Sequence, residues 1–176
     1  MSFLPALVKV TGGLQTIEPG RSGNNPVLVI AEDDLTLYEA VAPLCATLGI
    51  EVRSARGDLA LVRQLASWNT VAVLASIEGE AQDGYNVMMR VAEYDRTLPV
   101  MLLTGEDPAL IGAAEAVQGL WELSALTMQV DLPGPGELAE FLCDAFRLGL
   151  ERKHAPRSPA RRRKRERRLA LVEAAA

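Results

Sequence analysis

Histidine is almost absent from this sequence: of 176 residues only His154 is one, and it falls in a polar stretch near the end. That inventory excludes a histidine-based triad or metal cluster inside the fold. Cysteine is nearly as scarce. Cys45 and Cys143 are too few and too widely separated for a disulfide framework or a thiolate metal site, so they read as reduced core residues. Aromatic residues make up only 5% of a chain that is 49% hydrophobic, so aliphatic side chains must fill the core. No apolar stretch approaches the roughly 20 residues of a membrane helix. The opening FLPALVKV is too short for a signal peptide and is interrupted by Lys9. The composition therefore predicts a soluble, cytoplasmic protein without membrane contact.

Lysine is missing where a folded domain would stand. The lysines are Lys9, Lys153 and Lys164, and none occurs from residue 10 to residue 152. Charge is divided as unevenly. Residues 1–150 carry 8 Lys+Arg against 20 Asp+Glu, a net −12, whereas residues 151–176 carry 10 against 3, a net +7. The overall −5 thus hides an acidic domain joined to a basic tail.

What is present is a strand–helix rhythm. The first 25 residues hold the turn signals TGG, EPG and GNNP without a sustained period, and read as a flexible arm. Five short apolar runs follow, PVLVIA, IEVRS, TVAVLA, LPVMLLT and ALTMQV, each succeeded by a helical pattern. The first helix is closed by Gly49 and contains Pro43, which would cost a helix interior about 3 kcal/mol and predicts a kink or a late start. Asp58 is a plausible N-cap for the second helix, and Asp107 followed by Pro108 for the fourth. Five βα repeats with buried-type strands call for a doubly wound α/β sheet of five parallel strands, spanning residues 26–153. Residues 154–176 form the basic tail.

Open parallel sheets bind ligands at the carboxyl ends of their strands. Those ends carry Glu32, Asp33 and Asp34 after the first strand, Ser76 at the third and Thr104 with Gly105 at the fourth. Val130, Asp131, Leu132 and Pro133 follow the fifth. Clustered carboxylates can hold a hard cation such as Mg²⁺. They equally suit N-caps and first-turn charges for the first helix, and spacing alone favours capping.

Three segments in this order, VLVIAEDDLTLYEAVAPLCATLGIEV, DGYNVMMRV and LPVMLLTGE, resemble a response-regulator receiver domain of the CheY-like type over residues 26–150. The resemblance implies a flavodoxin-like (βα)5 fold and two-component phosphorelay signalling of the bacterial type. In that family a histidine kinase donates a phosphoryl group to an aspartate, aided by Mg²⁺, a Thr or Ser, and a Lys. Glu32 and Asp33 match its metal-binding acids, and Thr104 its switch hydroxyl. Seven residues before Asp83, the phosphoacceptor position falls on Ser76. The lysine position falls near Asp131 or Leu132, and the aromatic switch position near Met128. The proline of the loop after the acceptor is replaced in IEGEAQ.

These departures act in one direction. A serine hydroxyl is a weak nucleophile without a base or metal. Losing the lysine while adding Asp131 makes the pocket more negative, the wrong sign for phosphoryl oxygens. Mg²⁺ would lose a ligand, with Glu78 the nearest replacement. The reading that follows is a non-enzymatic, phosphorylation-independent receiver that binds a protein partner. Homodimerisation through the last two helices is implied by the family alone. The alternative places function in Arg161, Arg162, Arg163, Lys164, Arg165, Arg167 and Arg168, whose cations suit a cyclic dinucleotide or nucleic acid. No aromatic residue accompanies them for base stacking. Trp68 and Trp121, near predicted helix ends, read as partly buried packing.

Overall fold

The computed structural model describes residues 7–10, 13–16, 25–32, 35–66, 69–78 and 83–154, with backbone only for 7–10, 13–16 and 152–154. The expected arm contains regular structure: strands β1 (Leu7–Val10) and β2 (Gly13–Thr16) pair antiparallel, Val10 opposite Gly13. Two residues separate the paired ends in the sequence, the commonest spacing for a hairpin.

The remaining elements alternate as expected: β3 (Val27–Ile30), α1 (Leu35–Thr47), β4 (Glu51–Ser54), α2 (Gly57–Ala66), β5 (Thr70–Ser76), α3 (Gly84–Tyr94), β6 (Val100–Leu103), α4 (Pro108–Trp121), β7 (Leu126–Gln129) and α5 (Pro135–His154). The five later strands form one parallel sheet in the order β4-β3-β5-β6-β7. Counted within the repeat this is 2-1-3-4-5, the flavodoxin-like arrangement.

Strand alternation sorts the core into two layers. On one face Val29, Ala31, Val73, Ala75, Val100 and Leu102 pack with Leu61 and Leu65 of α2, Val87, Met88 and Val91 of α3, and Ala114 of α4. On the other, Leu28, Ile30, Leu74 and Met101 pack with Val41 and Cys45 of α1 and Leu138, Leu142 and Ala145 of α5. The central strands β3 and β6 are buried along their whole length, whereas the edge strand β7 is only half-buried. Burial pushes the Cys45 thiol up to about 11, so it stays protonated and inert at neutral pH.

Local chemistry sets the helix ends. Asp107 caps α4, its carboxylate accepting from the Ala109 N–H at 2.8 Å, with Pro108 in the first turn. The α2 expectation shifts by two residues. The helix begins at Gly57, so Asp58 lies in the first turn and its carboxylate receives both Nε and Nη2 of Arg90 on α3, at 2.5 and 2.7 Å. Helix α1 starts at Leu35 and accommodates Pro43 in its interior, which rules out a late start. Gly49, at φ 70°, follows that helix in the left-handed region.

Candidate functional site

The strand register builds the site. Ile30 of β3 pairs with Leu74 of β5, so continuing two residues along each strand sets Glu32 beside Ser76. Ser76 in turn pairs with Leu103 of β6, placing Thr104 one step beyond it. The ladder hydrogen bonds continue past the strand ends: Ala31 N–H donates to Leu74 at 2.8 Å, Ile77 N–H to Leu103 at 2.8 Å and Thr104 N–H to Gln129 at 2.8 Å. The fold thus gathers Glu32, Ser76 and Thr104, three of the residues singled out in the sequence, at one edge of the sheet. Asp33 and Asp34 lie outside the described residues, so the capping expectation for them has no structural counterpart. The same holds for Trp68.

Each side chain has a defined setting. Glu32 is buried at 8% exposure, and its backbone carbonyl accepts the Ser54 hydroxyl at 3.2 Å. Ser76 is half-buried, and Glu78 is exposed in the turn that follows. Thr104 is 2% exposed, and its hydroxyl lies 3.1 Å from the Gly105 carbonyl and 3.2 Å from that of Gln129. That hydroxyl has one proton, and both acceptors within reach are main-chain carbonyls. It is committed to the β6–β7 ladder.

The Asp83–Gly84 landmark has a structural explanation. Asp83 caps α3, its carboxylate accepting the Tyr85 N–H at 2.9 Å. Gly84 packs directly beneath the acceptor position. A Cβ there would sit 2.7 Å from Ile77 Cα and 2.9 Å from both the Ser76 carbonyl oxygen and Leu102 Cδ1. Only glycine lets the helix start this close to the strand end, and the Gly84 N–H donates to the Ile77 carbonyl at 3.3 Å. Tyr85 next to it ties α3 to α4, its hydroxyl donating to the Leu110 carbonyl at 3.3 Å. Desolvation, then the nearby Asp83 and Asp107 carboxylates, push the Tyr85 phenol above its ordinary value. The sequence reading passed over Tyr85. Its aromatic ring beside a helix cap was the only visible signal.

Electrostatics complete the picture. The five loops that follow the parallel strands contain Glu32, Asp33, Asp34, Glu78, Glu80, Asp83, Glu106, Asp107 and Asp131 against a single cation, Arg56. Of the two candidates for the lysine position, Asp131 is exposed and Leu132 packs partly buried against the α1–α5 layer. Met128, near which the resemblance set the aromatic switch position, packs partly buried on the opposite layer. Among the described residues no three His, Cys, Asp or Glu side chains come together to hold a metal. Ser76 offers a neutral hydroxyl where a hard cation favours an anionic oxygen.

No family profile and no curated protein sequence matches the chain. Solved structures do. The signal receiver domain of an HD-domain-containing protein from Pseudomonas fluorescens Pf-5 matches with a TM-score of 0.60 at 19% identity, covering 78% of this chain and 98% of that one. A CheY-like response-regulator receiver domain from Methanospirillum hungatei JF-1 matches with a TM-score of 0.58 at 14% identity, covering 72% and 98%. A Francisella response-regulator receiver domain matches with a TM-score of 0.52 at 16% identity, covering 72% and 98%. The fold of this chain is the receiver fold. Among the described residues no helix is long and apolar enough to cross a membrane.

Proposed function

We propose that this chain is a phosphorylation-independent receiver module that binds a protein partner in a two-component-type pathway. The charge at the strand ends carries the reading: the loops after the strands contain nine carboxylates and one arginine, and no lysine occurs between residues 10 and 152. A phosphoryl donor brings further negative charge, and its transition state needs cations or oriented donors. Here the rim repels it. Ser76 adds a hydroxyl without a base, and Thr104 spends its proton on backbone carbonyls. The fold below these residues is complete, which suits a module that presents surfaces.

The test is incubation of the full chain with acetyl phosphate and Mg²⁺, followed by intact-mass measurement. No phosphate adduct is expected, either on the parent or on Ser76→Ala. Mg²⁺-dependent labelling that disappears in Ser76→Ala would sink the reading.

A second reading rests on the seven cations from Arg161 to Arg168, which suit an anionic nucleotide or nucleic acid. Binding of this kind would weaken steeply with salt and be lost on truncation at Ala155.

A further inference from the structure

We draw no further inference here: the strongest candidate, the outward apolar face of helix α4 with Gly112, Ala116, Gly119 and the 75% exposed Leu120, carries nothing because nothing in the structure shows what covers it.

Discussion

Strand β5 and the loop above it belong to the same few residues of sequence, yet they obey different rules. From Val71 to Ala75 every side chain is at most 3% exposed, and Ala72 to Ala75 pack alternately on two aliphatic layers. Past Ser76, Ile77 still packs in the core, whereas Glu78 is exposed. Packing constrains the strand from all sides, because a missing methylene leaves a cavity that neighbours cannot fill. An exposed side chain such as Glu78 has no such neighbours, and it can change at little cost to the fold.

That contrast sets an order of expected effects. Leu74→Ala removes a fully buried side chain facing the α1–α5 layer and should cost about 2–5 kcal/mol in denaturant unfolding. A loss under 1 kcal/mol would break the distinction. Gly84→Ala tests the seam between the regions. Its Cβ would press on the backbone of Ile77 and Ser76, and overpacking of this kind costs about 1–3 kcal/mol.

Tyr85→Phe is a smaller change. It removes the hydrogen bond to Leu110 and should cost about 0.5–1.5 kcal/mol at neutral pH. The phenol also has a pH signature. Its value is raised in the folded protein, so the unfolded chain releases the proton first as pH increases. Its contribution is fully present below the unfolded value of about 10 and is lost as pH rises through the folded value. Stability measured above pH 10 should therefore fall less steeply in Tyr85→Phe than in the parent. Ser76→Ala comes last, with a stability change within about 0.5 kcal/mol. A loss of 2 kcal/mol or more there would show that Ser76 is part of the packed scaffold.

Much of the fold was legible in the sequence because it rests on local signals. Strand β3 is a run of branched aliphatics, and Asp107–Pro108 announces the start of α4 by capping chemistry alone. The β1–β2 hairpin was passed over because short flanking runs without burial information look like an arm, although the TGG signal was visible. Asp58 was assigned to a cap because a cap is local. Its partner Arg90 is 32 residues away on another helix, and no window along the chain reveals that.

By itself, the sequence determined which chemistry the protein can hold. A serine at position 76, no lysine from residue 10 to 152 and a single histidine are matters of inventory, and no folding can supply a missing functional group. Tertiary structure decided how the remaining groups are used. Parallel pairing of β6 with β7 brings the Gln129 carbonyl to the Thr104 hydroxyl across 25 residues. Close packing of α3 on β5 makes Gly84 a steric requirement. Both depend on which strands lie side by side, and that order is set by the shared core of the whole sheet.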